Sequence, residues 1–149
     1  MPTGCNTPHP TEHHYAQAVV GYTKAIALWP GSAVYFANRS IANLRLENYG
    51  SAIADATRAL ELDPTYAKAQ YRRGDAHFAM GKYKEAVKDF KTAARLAPKD
   101  PDVRKKLSEA EKVVKRMRFE EALAVPVRCC WVMVLLLLLG NGNGVLASC

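Results

Sequence analysis

The sequence predicts an all-α solenoid of stacked helix pairs. Two observations carry that prediction. Five residue columns recur at a 34-residue period: Pro30, Pro64 and Pro98; Tyr15, Tyr49 and Tyr83; Ala18, Ala52 and Ala86; Ala25, Ala59 and Ala93; Leu28, Leu62 and Leu96. Between these columns the apolar residues fall at spacings of three and four, the period of a helix with one buried face. A repeat of this length is one helix–turn–helix unit, which buries its apolar face only by stacking on its neighbours. Such arrays hold a ligand in a concave groove rather than perform chemistry.

The elements follow in order. Residues 1–11 contain three prolines and read as an irregular tail. Residues 12–28 form one helix, with Tyr15, Ala18, Val19, Tyr22, Ala25 and Ile26 on its apolar side. It ends before Pro30-Gly31, because Pro30 cannot continue a helix and restricts Trp29. With its turn this is a half-repeat, 12–32. A full repeat spans 33–66, with helices at about 33–46 and 49–62. A second spans 67–100, with helices near 67–80 and 83–96. Gly81 makes the turn inside the second repeat, and Glu47-Asn48 makes it in the first. The small residues Ala52, Ala59, Gly74, Ala86 and Ala93 let helix axes approach, and Tyr49, Tyr83 and Phe90 fill the spaces between them. Asp100 and Pro101 suit the N-cap and first turn of a capping helix over 101–124. Its apolar stripe is Val103, Leu107, Ala110, Val114 and Met117, and its remaining face is heavily charged. The repeat domain thus covers 12–124.

An apolar tail, 125–149, follows. Cys129–Leu139 is eleven apolar residues, too short to span a bilayer alone. Extending the span to the C-terminus would bury the Gly140–Gly144 stretch with its two asparagines, which is unfavourable in lipid.

Composition narrows the partner. The chain has 149 residues and a net charge of +7, unevenly placed: residues 1–66 carry four basic and five acidic residues, and 67–149 carry seventeen and nine. A basic half favours an acidic partner. The basic run Lys112–Arg118 has no interleaved aromatics for base stacking, so nucleic acid is not the expected ligand. Cys5, Cys129, Cys130 and Cys149 all lie outside the repeats and lack zinc-ligand spacing. His9, His13 and His14 read as a solvated polar tail, and no metal or cofactor is expected. With no secretory signal at the N-terminus, the expected location is the cytoplasm or nucleus, with attachment to a membrane through 129–139 as the alternative.

The period and columns resemble the tetratricopeptide repeat. In the second repeat Gly74, Gly81, Tyr83, Ala86, Phe90, Ala93 and Pro98 all occupy signature positions. In the first, Ser40 stands where glycine is usual and Ala56 where an aromatic is usual. Asn38-Arg39-Ser40, Leu44-Arg45, Tyr49-Gly50, Asp55–Ala59, and Tyr66 with Lys68 and Tyr71-Arg72-Arg73 are similar to the repeat domain of the protein phosphatase 5 family. Phe119–Val127 is similar to the junction after that domain in plant members. The resemblance covers about 12–127 and breaks after Val127. The metallophosphatase motifs Gly-Asp-x-His, Gly-Asp-x-x-Asp-Arg-Gly and Gly-Asn-His-Glu do not occur in the sequence.

The resemblance implies a co-chaperone-like binding module that grips acidic C-terminal tails of heat-shock chaperones with a carboxylate clamp. On this sequence the clamp positions match Asn38, Lys68 and Arg72, while those of the first repeat fall on Thr3 and Thr7. Half of the clamp is therefore expected. Lys68 and Arg72 are one helical turn apart, and Asn38 and Arg72 are one period apart, so all three should face one groove. The expectation is a non-catalytic module. The alternative is a truncated or spliced piece of a phosphatase-5-like enzyme, inactive by itself, with 129–139 as a membrane anchor.

Overall fold

Two turns of matching geometry set the frame of the molecule. In the computed structural model, which describes residues 10–123, the helices are α1 (Pro10–Leu28), α2 (Ala33–Arg45), α3 (Tyr49–Leu62), α4 (Ala67–Ala79), α5 (Tyr83–Leu96) and α6 (Pro101–Leu123). After α2 the Asn48 N–H donates to the Asn43 carbonyl at 2.9 Å and the Glu47 N–H to Leu44 at 3.2 Å. After α4 the Lys82 N–H donates to His77 at 2.9 Å and the Gly81 N–H to Phe78 at 3.0 Å. This is the Schellman pattern that satisfies the last carbonyls of a helix, and it needs one residue in the left-handed region. Gly81 supplies it at φ 75°, and Glu47 is forced into it at φ 58°.

The chain divides into two compact units, Met1–Val114 and Lys115–Cys149. In the second unit the described residues are the last turns of α6, where Met117, Phe119 and Leu123 are exposed. The exposure of Met117 departs from the expected apolar stripe, of which Val103, Ala110 and Val114 are buried. A second departure is at the N-terminus. The helix begins at Pro10 rather than after an irregular stretch to residue 11, because proline is tolerated in a first helical turn, where its missing N–H is no loss.

Within the first unit, small residues set the spacing of the helices. Ala37, Ala52, Ala56, Ala59, Ala69, Ala76, Ala86, Ala93 and Ala110 are all wholly buried. Around them Phe36, Leu60, Ile26 and Tyr66 fill one cluster, and Phe90, Tyr71, Phe78 and Leu107 fill the next. Phe90 is fully buried, whereas Tyr49 and Tyr83 are only half-buried; Tyr83 meets Phe78 edge-on with ring centroids 5.1 Å apart. The columns behave differently in α1. Ala18 and Ala25 are half-exposed although Ala52, Ala59, Ala86 and Ala93 in the same register are not, because no helix precedes α1 among the described residues.

Each repeat is also tied by a partly buried ion pair between its two helices. Arg39 binds both oxygens of Asp55, at 2.9 and 2.6 Å, and Arg73 binds both of Asp89, at 3.1 and 2.7 Å. This two-pronged geometry joins first helix to second at the same level in both repeats.

Candidate functional site

Arg72 is the centre of the site. It lies one turn after Lys68 on α4, and its Nη1 donates to Asn38 Oδ1 on α2 at 3.1 Å. Its guanidinium is half-buried. Burial holds its pKa below the ordinary arginine value, and the phenols of Tyr66 and Tyr22 only partly offset that. Arg72 forms no ion pair among the described residues, nor do the exposed Lys68 and Arg45. The neighbouring Arg39 and Arg73 are, by contrast, each neutralised by an aspartate. A guanidinium taken partly out of water and given only a neutral amide oxygen carries an uncompensated charge, which an incoming carboxylate relieves.

These cations border a cavity of about 700 Å³. Arg45, Lys68 and Arg72 stand on its basic side, Ile41, Leu44, Tyr49, Phe78 and Val103 supply apolar wall, and Asp75 and Lys106 stand at the α6 side. Tyr71, which carries a hydroxyl, also lines it. Burial, then the charges of Asp75, Asp102 and Asp100, pushes that hydroxyl up to about 12 against a smaller opposing effect of Arg45, so it is a neutral donor at physiological pH.

Of the three residues singled out from the sequence, Lys68 and Arg72 share the cavity wall. Asn38 does not line it and touches the site through Arg72. Thr3 and Thr7 lie outside the described residues. Arg45 was missed by sequence reasoning, although a signal existed: it is seven residues after Asn38, two turns along the same helix face. Among the described residues no three His, Cys, Asp or Glu side chains group to hold a metal. No described helix is long and apolar enough to cross a membrane, and 129–139 lie outside the described residues.

A stack of helix pairs repeating at 34 residues, with a cation-edged cavity at its first helices, defines a helical-repeat domain. The chain belongs to the tetratricopeptide-repeat family: a model of that repeat matches residues 38–101. It is 66% identical over 115 residues to Serine/threonine-protein phosphatase 5 of Arabidopsis thaliana, which covers 77% of this chain and 21% of the phosphatase; the chain thus spans about a fifth of that relative's length. Among the similar solved structures are two with bound peptides. The second tetratricopeptide domain of human RPAP3, in complex with the HSP70 peptide SGPTIEEVD, is 38% identical at a TM-score of 0.64, covering 68% of this chain and 84% of that one. The first such domain of Spaghetti, bound to the HSP90 peptide SRMEEVD, is 31% identical at a TM-score of 0.68, covering 70% and 83%.

Proposed function

We propose that this chain is a non-catalytic, co-chaperone-like module that binds the acidic C-terminal tail of heat-shock chaperones through Asn38, Lys68 and Arg72, a partial carboxylate clamp. The observation that carries it is the half-buried guanidinium of Arg72, which has no ion-pair partner among the described residues, is held by Asn38 and shares the cavity border with Lys68 and Arg45. Terminal carboxylates satisfy that charge: a planar fork accepts a carboxylate in two-pronged fashion, and Lys68 adds a mobile charge one turn away. Two similar domains are solved with peptides ending in Glu-Glu-Val-Asp, which supports the reading. Titrating SRMEEVD into the full chain tests it. Binding should weaken about ten- to a hundredfold in Arg72→Ala, the loss of one charge-assisted contact. Absence of binding, or binding indifferent to Arg72→Ala, overturns it.

The second reading, a truncated or spliced piece of a phosphatase-5-like enzyme, is favoured by the 66% identity and by the change of character after Val127. Sequencing transcripts across the Val127 codon tests it. Continuation into a Gly-Asp-x-His frame supports it, and uniform termination after Cys149 counts against it.

A further inference from the structure

The register that places Asn38 one period before Arg72 places Lys106 one period after it. Lys106 is on α6, and its side chain borders the same cavity as Lys68 and Arg72. Asn38, Arg72 and Lys106 are thus the same position on three successive first helices. The preceding cationic position, on a helix before α1, is not supplied among the described residues. The following one is.

Lys106 is placed to change partners. Its Nζ is 3.2 Å from Asp75 Oδ1 and 5.5 Å from the centre of the Phe78 ring, with about a third of the side chain exposed. Asp75 therefore holds the ammonium at the cavity wall in the free protein, and a ligand carboxylate can take it over with little new burial. Asp102 stands one turn before Lys106, in the register of Lys68, and would repel a carboxylate there. On α6 the attraction is thereby confined to Lys106.

Spacing identifies which carboxylate it meets. Packed helices lie about 8–10 Å apart, and an extended chain advances about 3.3 Å per residue, so neighbouring positions in this column match side chains about three residues apart. A tail held at Arg72 by its terminal α-carboxylate, which lies in line with the chain rather than on either face of it, would be free to turn the side chain three residues upstream toward α6. In SRMEEVD, the peptide bound by the Spaghetti domain, that side chain is a glutamate.

We propose that Lys106 is a specificity-determining residue that reads a glutamate three positions before the terminal aspartate of the bound tail. The proposal rests on the peptide-binding reading above. The test uses the full chain, with SRMEEVD and its variant SRMQEVD, in which that glutamate is glutamine, titrated into wild type, Lys106→Gln, Asp75→Asn and Arg72→Ala. Lys106→Gln should weaken SRMEEVD about three- to fivefold and leave SRMQEVD unchanged, the coupling expected of a partly exposed ion pair. Asp75→Asn, which frees the ammonium, should tighten SRMEEVD more than SRMQEVD. If both peptides respond equally to both substitutions while Arg72→Ala still weakens binding about ten- to a hundredfold, Lys106 does not read that glutamate, although the peptide-binding reading stands. If wild type binds neither peptide, both fall together.

Discussion

Gly74 has no side chain because Phe90 occupies the place of one: a Cβ on Gly74 would lie 2.8 Å from Cε1 of the Phe90 ring and 3.2 Å from Asp89 Cβ. One period earlier the same two positions are Ser40 and Ala56, both wholly buried. There the ring is gone, and the serine hydroxyl donates to the Ala52 carbonyl at 2.8 Å. The two repeats solve one packing problem with exchanged volumes. Gly74→Ser alone should destabilise by about 1–3 kcal/mol through overpacking. Phe90→Ala alone should cost about 3–5 kcal/mol through the cavity it leaves. The double variant recreates the Ser40/Ala56 arrangement and should cost measurably less than the sum. Urea unfolding of the four proteins checks this, and strict additivity would refute the exchange.

The turn residue Glu47 is the equivalent of Gly81, and both sit at positive φ. An L-residue with a Cβ is strained there by about 1 kcal/mol. Glu47→Gly removes that strain but adds freedom to the unfolded chain, so a net gain of about 0.5 kcal/mol is expected. Gly81→Glu should cost about 1 kcal/mol. Thermal unfolding should show midpoints moving in opposite directions, by a few degrees each.

A third asymmetry between the repeats concerns the ion pairs. Asn43 Nδ2 donates to Asp55 Oδ2 at 3.0 Å, completing the partners of that carboxylate. His77 holds the equivalent place, but its Nε2 stays 3.7 Å from Asp89 Oδ2, and its buried Nδ1 has no hydrogen-bond partner among the described residues. The position is a polar one, because it faces a carboxylate shared with Arg73. Burial lowers the imidazole pKa, Arg73 and Lys82 add to the effect, and Asp89 and Glu85 oppose it. The unfolded chain therefore takes up the proton first as pH falls. Stability is full above the ordinary histidine value of about 6.5 and declines as pH drops through it toward the lower folded value. His77→Asn should add about 1 kcal/mol near neutral pH and remove that part of the acid-side decline. Urea midpoints for both proteins between about pH 5.5 and about pH 7.5 check both effects.

The period made the helices legible because stacking forces the same buried face on each repeat. The ion pairs were harder to see. Arg39–Asp55 and Arg73–Asp89 each span 16 residues, a spacing that repeats in both units yet belongs to neither helical periodicity nor the small-residue columns. The site was legible in part for a similar reason. Register put Asn38, Lys68 and Arg72 on neighbouring faces, but the bond from Arg72 to Asn38, and the setting of Asn38 back from the cavity, follow from side-chain packing that register does not encode. Arg45 escaped because it sits off the 34-residue column and joins the site along its own helix. Whether a cation is free or spent on an aspartate, as Arg72 and Arg73 show side by side, depends on side-chain direction, which a one-residue step on a helix turns by about 100°.

That contrast gives a sharper test of the site than removal of charge. Arg72→Lys keeps the positive charge but replaces a planar five-donor fork with a single ammonium on a flexible stem. The Nη1 bond to Asn38 Oδ1 holds the guanidinium plane in place, so under the proposed function the native side chain would meet a carboxylate already oriented. The lysine must spend side-chain entropy to do the same and loses the paired contact. Affinity for SRMEEVD should therefore fall about tenfold in Arg72→Lys, and Asn38→Ala, which frees the fork to rotate, should weaken binding in the same direction by a smaller factor. The two effects act through one geometry, so combining Arg72→Lys with Asn38→Ala should cost less than the product of the single losses. Raising salt should weaken the contribution of the exposed Lys68 more than that of the half-buried Arg72. Fluorescence anisotropy of a labelled peptide at two ionic strengths measures all of these. If Arg72→Lys binds as tightly as wild type, charge alone governs the site and the oriented fork plays no part.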